Sequence, residues 1–161
     1  MPSGRIHLRI EAVLLVALGA VGGWLASLKA IEMVTAAAFV ASYALSMLLL
    51  SPDLDLRRSR AFARWGLFRW LWIPYAAVFR HRQVSHHPIV GPLTRILYLS
   101  VIVALVGLAV CAATGWRVSP CLPQAEILVA LVAGLYLPNL VHILADRVDT
   151  GWKRARARRR L

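Results

Sequence analysis

Four runs of apolar residues, at about 11–28, 33–50, 96–115 and 125–145, dominate this sequence. A helix needs roughly 20 mainly apolar residues to cross the hydrocarbon core of a bilayer. The expected fold is therefore all-α: a single polytopic membrane domain of 161 residues with four transmembrane helices in two hairpins. Composition agrees. The chain is 60% hydrophobic and only 16% charged, whereas a soluble domain is about a quarter charged. The first run follows a short basic start, but no small-residue cleavage site with a polar region comes after it. It is read as a retained span, not a removed signal peptide. Two cysteines are too few for a disulfide framework. Cys111, inside the third run, reads as a small apolar packing residue and is not expected to pair with Cys121.

Charge placement predicts orientation. Short loops rich in Lys and Arg stay in the cytoplasm. Of the 19 basic residues, all but Lys29 and Arg117 fall on one side of a four-span layout. They precede the first run (Arg5, Arg9), fill the segment between the second and third runs (Arg57 to Arg95), or follow the fourth (Arg147 to Arg160). The chain is expected to lie in the inner (cytoplasmic) membrane with both termini cytoplasmic.

The link around Lys29–Glu32 is short, so the first two spans should be antiparallel neighbours. Thr114–Gln124, with Gly115, Pro120 and Pro123 as breakers, joins the other two. Between the hairpins lies a cytoplasmic segment, 51–95. Within it Trp65, Phe68, Trp72, Tyr75 and Phe79 recur at helical spacing among basic residues, and Pro74 should kink or end a helix there. Two readings stay open: a helix in the membrane interface with its aromatics at headgroup depth, or a helix capping the bundle. Residues 60–82 could also dock a protein partner. The polybasic tail, 151–161, should attract anionic lipid headgroups at about 1 kcal/mol per charge. Nothing in the chain supplies base-reading chemistry, so no specific nucleic-acid partner is expected.

The histidines and aspartates do not fit a plain apolar bundle. His7, His81, His86, His87, His142, Asp53, Asp55, Asp146 and Asp149 all fall at the cytoplasmic ends of spans. Insertion alone does not require that convergence. His142 and Asp146, at i and i+4 in an apolar run, share a helix face, where ionisable groups are costly and usually functional. Both could ligate a metal, Asp146 could orient His142, or the two could simply hydrogen-bond to stabilise the bundle. Asp53 and Asp55 follow Pro52, which ends the second span; each could equally cap a helix. Three histidines between 81 and 87 complete a set that suits zinc, with manganese or iron as alternatives. Glu11, four residues after His7, could face the same site or the helix surface.

Five motifs carry a resemblance: Met-Pro-Ser-Gly-Arg-Ile-His at 1–7, Ser-Pro-Asp-Leu-Asp at 51–55, Arg-Trp-Gly at 64–66, His-Arg-x-x-Ser-His at 81–86 and His-x-x-x-Asp at 142–146. In this order the chain resembles membrane-bound metal-binding proteins related to the YdjM-like metal-dependent hydrolases, a group similar in fold to zinc-dependent phospholipase C and its nuclease relatives. The resemblance implies metal ligands at His7, Asp53 or Asp55, His81, His86, His142 and Asp146. Where the family often has Asp after the first histidine, this chain has Leu8, and His87 lies outside the pattern.

The expected function is metal-dependent hydrolysis at the cytoplasmic membrane surface, on a phosphoester such as a phospholipid headgroup. Asp55 would join the histidines and Asp146 on the metal, Asp53 would accept the proton of the attacking water, and Arg80 or Arg82 would hold the phosphate. The alternative is a non-catalytic metal-binding membrane protein or a small accessory subunit of a larger complex. A metal carrier is disfavoured, since the first three spans hold no ligand at membrane depth.

Overall fold

A computed structural model describes residues 4–79, 87–116 and 122–158; within these, side chains are described except at Gly4, Arg154, Ala157 and Arg158. All regular structure among the described residues is helical. Four helices are long and apolar enough to span a membrane: α1 (Gly4–Ser27), α2 (Met33–Leu49), α5 (Val90–Thr114) and α6 (Ala125–Arg158). Two short helices, α3 (Arg60–Arg64) and α4 (Ile73–Val78), lie between α2 and α5, with 3-10 turns at Pro52–Asp55 and Gly66–Trp72.

The helix limits depart from those expected at three places. α1 begins at Gly4 and takes up Arg5, His7 and Arg9. α5 begins at Val90, which puts Pro92 in its first turn, where a missing N–H is tolerated. Just before it, His87 Nδ1 accepts hydrogen bonds from the backbone N–H of Ile89 (3.3 Å) and Val90 (3.1 Å), so this histidine caps a helix. α6 runs for 34 residues, about 51 Å, well past the ~30 Å of a bilayer core, and carries part of the basic tail as helix.

The α1–α2 link is as short as expected. Lys29 adopts φ +57° while Ala30 N–H returns to Leu25 C=O, closing the end of α1. At the far end of α5, Gly115 takes φ +70° and its N–H bonds Cys111 C=O. Cys111 is a free cysteine among the described residues, and Cys121, with which it is not expected to pair, lies outside them.

α6 packs most extensively against α2. Gly134 makes that possible: a Cβ there would lie 2.6 Å from Phe39 O and 2.9 Å from Tyr43 N on α2. Just below, a buried polar chain ties three spans. Arg95 Nη2 donates to Asn139 Oδ1 (2.6 Å), Asn139 Nδ2 donates to Ser46 Oγ (3.0 Å), and Ser46 Oγ donates to Leu135 C=O (2.6 Å). Arg95 was expected among the loop cations; instead it is fully buried on α5 and joins α5 to α6. Its guanidinium needs acceptors in an apolar bundle, and Asn139 supplies one.

The aromatic segment caps this end of the bundle with one face only. Trp72 and Tyr75 are buried with Leu50, Leu54, Ala61 and Phe62, and Trp65, Phe79 and Tyr98 pack around them. Trp65 Nε1 donates to Leu49 C=O (2.9 Å), Tyr75 hydrogen-bonds Thr94 (3.1 Å), and Tyr98 donates to Leu71 C=O. Leu67, Phe68 and Trp70 point outward, 60–89% exposed. No single helix carries the aromatic period, because Gly66 at φ +53° and Pro74 at the start of α4 divide it. Trp72→Ala should therefore cost about 3–5 kcal/mol, and Phe68→Ala within about 0.5 kcal/mol. Unfolding transitions of the two variants in detergent check the difference.

Candidate metal centre

α1 and α6 run antiparallel beside α2, so the start of α1, the turn after α2 and the late part of α6 meet at one end of the bundle. Helical spacing does the rest. His7 and Glu11, at i and i+4, point inward from α1; His142 and Asp146 do so from α6. All four are buried, at 3–8% exposure. Asp53 approaches from the 3-10 turn, which Pro52 starts. Ser59 fixes that turn: its Oγ donates to Asp53 C=O (2.7 Å) and accepts from Phe62 N–H (3.1 Å), capping α3.

The histidine–carboxylate pairs cross between helices. His7 Nε2 lies 3.1 Å from Asp146 Oδ1. His142 Nδ1 lies 3.0 Å from Glu11 Oε1, and its Nε2 lies 3.9 Å from Asp53 Oδ2. The two imidazoles stack, with ring centroids 3.9 Å apart and planes 18° from parallel. Of the readings open for His142 and Asp146, both residues therefore enter a shared cluster, but the carboxylate that orients His142 is Glu11. Asp146 serves His7.

His7, His142 and Asp146 each offer a ligand atom, and these lie within 4.8 Å of one another. Zinc ligands about 2.0–2.2 Å from the ion stand roughly 3.3 Å apart along a tetrahedral edge, so the 3.1 Å between His7 and Asp146 matches two groups on one cation. The contact from His142 Nδ1 to Glu11 is the arrangement that fixes a metal-binding histidine's tautomer and leaves Nε2 to the ion. The donor set fits a divalent metal held by His7, His142 and Asp146, with Asp53 beside them.

A cavity of about 220 Å³ opens on this cluster, its lining including His7, Glu11, Asp53 and His142 together with Ser59, Arg60 and Arg64. Arg64 also donates to Leu48 C=O (3.2 Å), at the end of α2. Leu8, where the resembling family often has Asp, is part of the same wall.

Asp55 is buried in the same 3-10 turn, and Asp53 approaches His142 Nε2. His81 and His86, expected as ligands, and Arg80 and Arg82, expected to bind phosphate, lie outside the described residues. Asp149 pairs with Lys153 (2.7 Å) at the surface of α6. Sequence reasoning left Glu11 undecided and passed over Arg60 and Arg64. The signal for Glu11 was its i+4 spacing from His7 at the edge of an apolar run, the same signal that singled out His142 and Asp146.

Comparison with known proteins points the same way. Residues 2–156 match a family described as uncharacterized metal-binding protein (DUF2227). An Aquifex aeolicus (strain VF5) protein described as uncharacterized is 41% identical over 61 residues, which are 38% of this chain and 43% of that protein. The chain thus spans less than half the length of that relative. No solved structure matches the chain significantly. With the family matched over nearly the whole length, and a buried His–His–Asp cluster at one end of the bundle, this chain belongs to the DUF2227 family of metal-binding proteins.

Proposed function

We propose that this protein is a metal-dependent hydrolase of phosphoesters, working at one membrane face. One observation carries the reading: a single small cavity joins buried metal-type donors to two arginines. His7, Glu11, Asp53 and His142 line it together with Arg60 and Arg64. A purely structural metal site needs no anion-binding wall, whereas phosphoester hydrolysis needs both halves.

A divalent ion held by His7, His142 and Asp146 would supply Lewis-acid charge and an acidified water. The chain's own residues do the remainder. Glu11 holds the His142 ring in place. Asp53, 26% exposed at its side chain and so open to the cavity, accepts the proton of the attacking water. Arg60 and Arg64 hold the phosphoryl oxygens, by bidentate contacts where geometry allows. The resemblance of the sequence motifs to those of the YdjM-like hydrolases is in keeping with this chemistry, and Arg80 and Arg82 remain further candidates for the anion.

The charge distribution supports a cytoplasmic site in an inner membrane. Arg57, Arg58, Arg60 and Arg64 follow α2 beside the cavity, and Lys153 and Arg156 extend α6 at the same end. By the positive-inside rule that end faces the cytoplasm.

The test is hydrolysis of a chromogenic phosphodiester by zinc- or manganese-loaded protein in detergent. Asp53→Asn should lower kcat about 100-fold or more while keeping metal content. Arg60→Ala should act mainly on KM. Wild-type protein that holds metal stoichiometrically and hydrolyses neither the phosphodiester nor a phospholipid would leave a non-catalytic metal-binding role.

A further inference from the structure

Beside the metal cluster, on the outward side of the same two helices, runs a long apolar groove of about 590 Å³. Ile10 and Leu14 of α1 form one wall; Val141, Ala145, Val148 and Trp152 of α6 form the other. Ile10 and Leu14 each stand three residues after His7 and Glu11, and Ala145 adjoins Asp146, so groove and cluster share the α1–α6 seam.

The ends of the groove differ. Along α6 it extends about 16 Å from Val141 to Trp152, long enough to seat much of one acyl chain. Its outer end is polar and cationic: Asp149 pairs with Lys153 at 2.7 Å, and the Arg156 guanidinium lies 5.1 Å over the Trp152 ring. An indole with a cation on its face is a side-chain pair suited to headgroup depth. Trp152, Lys153 and Arg156 are all exposed.

From this we infer a binding site for an anionic phospholipid. One acyl chain lies in the groove between Ile10 and Val148, and the phosphate headgroup is met by Arg156 and Lys153. Length, apolar walls and a cationic end select an amphiphile with negative charge at one end. The bound lipid would lie alongside the His7–Asp146 pair and is a ligand whether or not the neighbouring centre is catalytic.

The experiment is fluorescence quenching in nanodiscs of phosphatidylcholine doped with chain-brominated phosphatidylglycerol, or with the same fraction of chain-brominated phosphatidylcholine. The signal of Trp152 is the difference between wild type and Trp152→Phe, since five other tryptophans also emit. Trp152 should be quenched by the brominated anionic lipid at a lower mole fraction than by the neutral one. Arg156→Gln should reduce that preference about fivefold, the value of one interfacial cation. Ala145→Phe, which fills the groove, should remove the quenching while metal content stays at the wild-type level. Equal quenching by the two lipids, or quenching that survives Ala145→Phe in protein retaining its metal, would overturn the site.

Discussion

Gly134→Ala should destabilise the bundle by about 3 kcal/mol, the upper part of the usual range for overpacking. The added Cβ would stand 2.1 Å from Ser42 Oγ, 2.6 Å from Phe39 O and 2.9 Å from Tyr43 N. Ser42 can rotate, but the other two atoms are α2 backbone, so α2 and α6 must separate. That seam also aligns Ser46 with Asn139 and, further along α6, His142 with Asp53. The variant should therefore lose metal affinity as well as stability. Gly107, whose added Cβ would meet open space, is the control; Gly107→Ala should leave both unchanged or raise stability slightly through helix propensity. Unfolding midpoints and metal content in detergent, compared between the two variants, check this.

His142→Ala should have the larger effect on the metal. The ring contacts Glu11, stacks on His7 and approaches Asp53. Without it, one ligand is gone and the buried Glu11 loses its hydrogen-bond partner. Metal content should fall at least tenfold, and the variant should melt at one temperature with and without chelator. Wild type should melt lower with chelator, because a ligand that binds only the folded state stabilises it by about 2.7 kcal/mol at one hundred times its Kd. Glu11→Gln should keep the metal but weaken it about 10–100-fold, the usual cost of altering a group that orients a ligand.

The broad architecture was legible because a bilayer reduces the problem to counting apolar runs, and four runs gave four span-length helices. The convergence of His7, Asp53, His142 and Asp146 followed from counting as well, since an even number of crossings returns these positions to one end. The pairing within the cluster was not legible. Whether Asp146 meets His142 or His7 depends on how α1 and α6 are rotated against each other, which Gly134 and the α2 seam decide, and no local pattern encodes that rotation. Arg95 was misplaced for a related reason. An arginine at the edge of an apolar run reads as a loop cation until a buried acceptor is known, and Asn139, 44 residues away, becomes visible only in the fold. The aromatic segment showed its composition but not its facing: helical spacing suggested one continuous stripe, whereas Phe68 and Trp72 share a 3-10 turn, in which positions four apart fall on different faces, so Trp72 points inward and Phe68 outward.

His7, His142 and Asp146 are proposed to hold one divalent ion. X-ray absorption at the metal edge, on protein purified with zinc or manganese, tests it most directly. At least two imidazole ligands are expected, with oxygen neighbours and no sulfur, and the loss of one imidazole in His7→Ala. A spectrum with sulfur neighbours, one without imidazole scattering, or a His7→Ala spectrum identical to wild type would contradict it.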